Sequence, residues 1–211
     1  MVTSGTILTG SQLSSAEEKF LGIADRAKLA TYLDPVQKAR FITERTMLRM
    51  LVAQLEQTKP ELITIKEKTH PKYPRYISSS GRTHAAITSV GDRIFAVASL
   101  KGAVGISALD TVEVAQSPAE IVYEILNGNE IPELVKQTDP PLAFAHWWAK
   151  KRAILNALGH PNATEREITV KNPHELGKSS QVQVFDRTIN GLWVEEVNVG
   201  PGIVAAVSVL T

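Results

Sequence analysis

Apolar positions recur at helical spacing in two long stretches, through Phe41, Leu48, Val52 and Leu55 and again through Phe144, Trp148 and Leu155. Each stretch opens on an aspartate followed by proline, Asp34-Pro35 and Asp139-Pro140, the order of an N-cap and a first helical residue. The first helix is predicted to run to about Gln57, ahead of Lys59-Pro60, and the second to Gly159. A capping box at Ser15-Ala-Glu-Glu predicts an earlier helix reaching about Leu33, and Ser117-Pro-Ala-Glu predicts another that stops near Asn127-Gly128. Strand patterns fall at Leu62 to Ile65, His84 to Val90, Arg93 to Leu100, Ala103 to Leu109, Gln181 to Phe185, Leu192 to Val199 and Ile203 to Leu210. Gly91-Asp92 and Lys101-Gly102 read as hairpin-like turns, as do Asn190-Gly191 and Gly200-Pro-Gly. A proline-punctuated loop from His70 to Arg75 and a Ser-rich turn at Ser78 to Gly81 fill the remaining first-half gap.

The two long helices carry the same angular pattern. At about 100° per residue, with Phe41 at zero, Leu48 lies near −20°, Arg45 near +40° and Arg49 near +80°; with Trp148 at zero, Leu155, Arg152 and Asn156 take those places. Trp148 follows Phe41 by 107 residues, and Val204-Ala-Ala-Val-Ser-Val-Leu follows the similar Ile94-Phe-Ala-Val-Ala-Ser-Leu by 110. A helix and a strand recurring in order at nearly one offset imply two similar α+β halves packed as a pseudo-dimer, with a cleft between them.

Composition narrows the function classes. The 211 residues hold 23 Lys+Arg against 22 Asp+Glu, a net charge of +1, so no global field points to nucleic acid or an anionic membrane. With 43% hydrophobic and 21% charged residues the chain is expected to be globular, and with no cysteine it has neither disulfides nor thiol chemistry. No stretch approaches the roughly 20 apolar residues that span a bilayer, and the first residues lack a signal-peptide pattern, so a cytoplasmic protein is expected.

The motif Phe41-x-x-x-Arg45-x-x-Leu48-Arg49-x-x-Val52, the strand opening Val104-Gly105-Ile106, the helix Trp148-x-x-Lys151-x-Ala153-x-x-x-Ala157-x-Gly159 and the closing Gly-Ile-Val-Ala-Ala-Val-Ser together resemble the 4′-phosphopantetheinyl transferase superfamily, in its two-lobed, synthetase-activating form. The resemblance implies an α+β fold, a pseudo-dimer of an N-terminal lobe (1–103) and a C-terminal lobe (104–211) forming one pseudo-twofold monomer. It also implies a chemistry: three carboxylates hold Mg2+ on the CoA diphosphate, a carboxylate helps deprotonate a carrier-protein serine, and 3′,5′-ADP leaves when the serine attacks. Here the positions matching those groups are altered. The family's D-x-E pair reads Ser107 and Leu109, the Glu of its K-E-A motif reads Arg152, and its second Lys reads Asn156. The strand whose His meets a CoA phosphate reads Ala86-Ile87-Thr88-Ser89-Val90, and the G-K-P loop reads Lys72-Tyr73-Pro74.

The expectation is therefore a transferase-like pseudoenzyme with no catalytic residue at Ser107, Leu109, Arg152 or Asn156 and no Mg2+, binding an anionic ligand or a protein through the inter-lobe cleft. The resemblance names CoA as the candidate ligand and Arg45, Arg49, Tyr73, Thr88, Ser89, Lys151 and Arg152 as the positions that would meet it. Arg45 and Arg49 read equally as phosphate grips or as arginines lying along an apolar stripe and pairing with acids. Arg152 reads as a fork replacing the metal on a diphosphate or as an ion-paired cation at a cleft edge. Two alternatives stay open: an active divergent transferase that re-aims Asp110 through a bulge, and a structural subunit of a biosynthetic complex. A carrier protein or a biosynthetic enzyme is the expected partner, although seven acids and one base, Lys136, between Asp110 and Asp139 would repel an acidic carrier. Lys66, Lys68, His70, Lys72 and Arg75 make a basic segment that reads as a phosphate loop or a solvated edge. The five histidines show no metal-ligand spacing, and no Walker, dinucleotide or nucleophile-elbow motif is present.

Overall fold

The computed structural model describes residues 2–6, 19–68, 73–160, 162–170 and 182–211, with the backbone path alone for 2–6. The chain divides into two units, one of residues 1–69 and 74–100 and one of residues 70–73 and 101–211. Both mix helices with antiparallel sheet, an α+β architecture.

The first unit contains β1 (Val2–Thr6), α1 (Ile23–Leu29), α2 (Pro35–Glu56), β2 (Ile65–Lys68), β3 (Arg75–Ser78), β4 (His84–Val90) and β5 (Arg93–Ser99). Its five-stranded sheet has the order β1-β5-β4-β3-β2. Asp34 accepts from the Val36 amide at 3.0 Å and so caps α2, while Gln57 ends the helix in the left-handed region at φ 54°. Leu48, Leu51 and Val52 of α2 share a buried cluster with Ile87, Ile94 and Ala96 of the sheet. At Gly91, φ of 57° closes the predicted β4–β5 hairpin, in which Val90 faces Arg93.

Three expectations in this unit need adjustment. The Ser15 capping box lies outside the described residues, and the helix there spans Ile23–Leu29. It stops short of Leu33 because the Thr31 hydroxyl donates to the Lys28 carbonyl at 2.7 Å and draws the chain into a turn. The strand expected at Leu62 begins later, since Pro60 starts a 3-10 turn (Pro60–Leu62) and pairing with β3 begins only at Ile65.

The second unit contains β6 (Ala103–Asp110), α3 (Thr111–Ala115), α4 (Ala119–Ile125), α5 (Glu130–Val135), α6 (Pro140–Leu158), β7 (Ile168–Val170), β8 (Val182–Val184), β9 (Arg187–Thr188), β10 (Leu192–Val197) and β11 (Ile203–Leu210). Two three-stranded sheets, β10-β11-β6 and β7-β8-β9, flank α6. Asp139 accepts from the Leu142 amide at 3.1 Å, and Gly159 closes the helix at φ 58°. Lys101-Gly102 is not a hairpin: β5 pairs with β4 and β1, whereas β6 pairs with β11 across all eight of its residues. The helix expected from Ser117 to about Asn127 is α4, though without a side-chain cap, and the acidic stretch adds two short helices that had not been expected, α3 before it and α5 after it. Among the described residues, no helix is long and apolar enough to cross a membrane.

Candidate functional site

The second unit brings the helix and strand motifs together through a glycine. A Cβ at Gly105 would collide with the Ala153 carbonyl oxygen and the Ala157 amide nitrogen, so β6 and α6 approach as closely as their backbones allow. This fixes the face: Gly105, Ser107 and Leu109 alternate toward α6, with Ser107 opposite Ala206 and Leu109 opposite Val204 on β11. Asn156 on α6 donates to the Ile106 carbonyl at 3.3 Å, tying helix to strand where the family text has a lysine.

Along this face the expected donors are neutral. Ser107 is buried, and Leu109 belongs to the same apolar cluster as Val114, Phe144, Ala206 and Tyr73. Asp110, the carboxylate that a bulge was to re-aim, is committed elsewhere: its Oδ1 accepts from the Val112 amide at 2.8 Å and the Glu113 amide at 3.2 Å, capping α3. The β6–β11 register continues through Asp110 opposite Ile203, so the strand reaches its end without a bulge.

Charge enters from α6 instead. Lys151 is fully buried; its Nζ donates to the Ile125 carbonyl at 2.9 Å and to Glu130 Oε2. Glu130, itself buried, also accepts from the Asn127 amide at 3.0 Å and the Val170 amide at 3.4 Å. Burial pushes the Lys151 ammonium below its ordinary range, against the opposing pull of Glu130. One residue on, Arg152 sets its Nε 3.9 Å from Glu165 Oε1 and its guanidinium over the Trp148 ring at 5.5 Å, with 37% of its side chain exposed. Glu165 also takes the Tyr73 hydroxyl at 2.6 Å, and burial together with that hydrogen bond raises the phenol above its usual range. Trp148 stacks on Phe144, while Trp147 is buried. On another flank of α6, Lys150 Nζ lies 2.8 Å and His146 Nδ1 2.9 Å from Glu196 Oε1.

Tyr73, Lys151 and Arg152 thus fall in one polar network around Glu130 and Glu165. Arg45 and Arg49 form a second network in the first unit. Asp25 lies 3.5 Å from Arg45 Nε and 2.7 Å from Arg49 Nη2, Glu67 lies 2.5 Å from Arg45 Nη2, and Arg49 also donates to the Ile63 carbonyl. The Arg45 guanidinium stands 4.8 Å from the Tyr76 ring center and 5.1 Å from that of Phe41. Thr88 and Ser89 sit half-buried on β4, opposite Phe95 and Ile94. In the basic segment, Lys66, Lys68 and Arg75 lie on β2 and β3, and His70 and Lys72 lie outside the described residues.

Sequence reasoning missed every one of these carboxylate partners. Asp25 had a local signal, three residues after Gly22 at the start of a helix, where its Oδ2 accepts the Gly22 amide at 3.2 Å. Glu130, by contrast, was hidden inside a run of acids that reads as one surface. Of the seven acids in that run, Asp110 and Asp139 cap helices, Glu130 pairs with Lys151 and Glu133 with Lys136, which leaves Glu113, Glu120 and Glu124 as the exposed remainder.

The donor set does not fit Mg2+, which asks for an octahedron of oxygens with carboxylate support. A buried hydroxyl, a leucine in the apolar cluster and a guanidinium stand at the three positions, and Glu130 and Glu165 are already engaged by cations. Of the cations expected to meet CoA, Arg152 combines a partly exposed side chain with a long ion pair; Arg45, Arg49 and Lys151 are buried in shorter ones.

No family model matches the chain. A search of curated proteins finds no match either. Among solved structures, the chain aligns with the holo-[acyl-carrier-protein] synthase of Thermotoga maritima at 20% identity and a TM-score of 0.40, over 51% of this chain and 62% of that one.

Proposed function

We propose that the chain is a two-lobed, 4′-phosphopantetheinyl transferase-like protein that binds an anionic ligand or a protein partner and no longer transfers phosphopantetheine. The carrying observation is the fate of one face of β6: Gly105 preserves the contact with α6 that the motif text implies, while Ser107 and Leu109 leave the face without a carboxylate and Asp110 is spent on a helix cap. Arg152 supplies the replacement chemistry. Its planar fork rests over Trp148, and an incoming phosphate, diphosphate or carboxylate would compete with Glu165 for it. Such a site holds an anion without activating a nucleophile, because the carboxylate beside it, Glu165, already accepts the Tyr73 hydroxyl and faces Arg152. The pseudo-twofold pairing of lobes, supported by the recurring helix and strand text, belongs to the same proposal, with CoA as the ligand to test first.

Titration calorimetry with CoA, in the presence and absence of Mg2+, decides the matter. Binding that is independent of the metal and weakened at least tenfold in Arg152→Gln supports the reading. Metal-dependent CoA binding, or a phosphopantetheine mass gain on an apo-carrier protein incubated with CoA, Mg2+ and this chain, would overturn it.

A further inference from the structure

Strands β8 and β9 are joined by two residues, Phe185 and Asp186, with Val184 facing Arg187 across the ladder. Both linking residues have positive φ, 49° and 60°, the geometry of the tight hairpin turn that asparagine and glycine ordinarily supply. A phenylalanine there carries a conformational cost that glycine would avoid, and such a residue persists only where its surroundings hold it. Here the Phe185 amide donates to the Glu167 carbonyl at 3.1 Å, and its ring meets the His160 ring edge-on at 5.9 Å. Strain is not traded for core packing, since Phe185 remains 48% exposed.

What the turn does produce is one wall of a cavity. Leu158, His160, Val184, Phe185, Arg187 and Ile189 line a partly open cavity of about 480 Å3, within the range of small-molecule sites. Leu158, Val184 and Ile189 are aliphatic, Phe185 and His160 are aromatic, Arg187 is cationic, and among the described residues the lining includes no carboxylate. We infer that this cavity binds a small apolar acid, its flat or acyl body against Phe185 and the aliphatic wall and its carboxylate on Arg187. The inference is independent of the reading of Arg152, which lies outside the lining.

Naphthoate and its neutral isostere naphthamide are suitable probes, each titrated against the full chain by saturation-transfer NMR. Naphthoate is expected to bind about tenfold more tightly than naphthamide. Arg187→Gln should erase that difference. Phe185→Gly should weaken both probes about tenfold while raising the thermal midpoint, because glycine accepts the left-handed turn without strain. Naphthoate binding lost in Arg152→Gln and kept in Arg187→Gln would place the probe at Arg152 and overturn the inference. Equal affinity for the two probes, absence of saturable binding, or binding undisturbed by both Arg187→Gln and Phe185→Gly would each overturn the inference. Should Phe185→Gly fail to fold, the exposed Arg187→Gln variant still decides between the outcomes.

Discussion

Helices α2 and α6 bury two cations each, and they do so in opposite ways. On α2, Arg45 and Arg49 are one turn apart on one face and converge on the single carboxylate of Asp25, with Glu67 reaching in from β2. On α6, Lys150 and Lys151 are adjacent, so their side chains diverge by about 100° and reach separate acids, Glu196 on β10 and Glu130 on α5. One helix is fastened along a single flank; the other is fastened on two. The difference follows from enclosure, for α6 is covered by sheet on one side and by α3, α5 and β7 on others, and a charge leaving any face of it meets protein. It also teaches that a basic pattern repeated along a sequence need not repeat a function. All four cations are consumed in the fold, each no more than 5% exposed, whereas the neighboring Arg152 keeps 37% of its side chain accessible.

The largest expected effect lies on α6. Lys151→Met leaves Glu130 buried without its counterion, and urea unfolding should show a loss of about 3–5 kcal/mol. Adding Glu130→Leu should recover part of that loss, not all of it, because the Asn127 and Val170 amides then lose their acceptor. A mild single variant would break the view of α6 as a two-flank anchor.

Asp25→Ala comes next. It takes the carboxylate from buried Arg49 and leaves Arg45 on Glu67 alone, and should cost about 3 kcal/mol, whereas Glu67→Gln, whose side chain is 36% exposed, should cost about 1 kcal/mol or less. Equal losses from the two variants would contradict the convergence on Asp25.

Acid should weaken both devices. Burial acts against the Glu196 charge, but the His146 imidazole and the Lys150 ammonium beside it outweigh burial and hold this carboxyl below its usual range. Glu67 shows the same balance, with Arg45 and Lys28 overcoming burial. A depressed carboxyl contributes stability that is whole above its unfolded-state pKa and disappears as pH falls through the folded value. Urea midpoints should therefore hold steady down to about pH 5 and decline below it, and Glu196→Gln should flatten that decline more than Glu67→Gln. A decline untouched by Glu196→Gln would remove this pair from the account of α6.

Arg152→Gln should have the smallest effect on stability, within about 0.5 kcal/mol, since its guanidinium is partly solvated and its ion pair long. The same variant is the one expected to lose CoA. A large stability loss would return Arg152 to the class of its buried neighbors and sharpen the contrast between helices in the other direction.

Much of the fold was legible because the signals are local. Asp34-Pro35, Asp139-Pro140, Gly91 and Gly159 act through residues within four positions, and the structure places a cap, a hairpin or a helix end at each. The strand at Ile203–Leu210 and its apolar run coincide for the same reason. The candidate site was legible only in part: helix and strand motifs identified Gly105, Lys151 and Arg152 as neighbors in chemistry, yet gave no sign of what each side chain would touch.

The sequence alone determined where the long helices start and stop, that the chain is α+β, and that the β6 positions carry no acid, since these depend on identity and near neighbors. Tertiary structure decided the rest. Arg45 finds Glu67 across 22 residues, Lys151 finds Glu130 across 21 and Tyr73 finds Glu165 across 92. Which of many acids neutralizes a buried cation is set by distance in the folded chain, because charge interactions fall off in space and take no account of separation along the sequence.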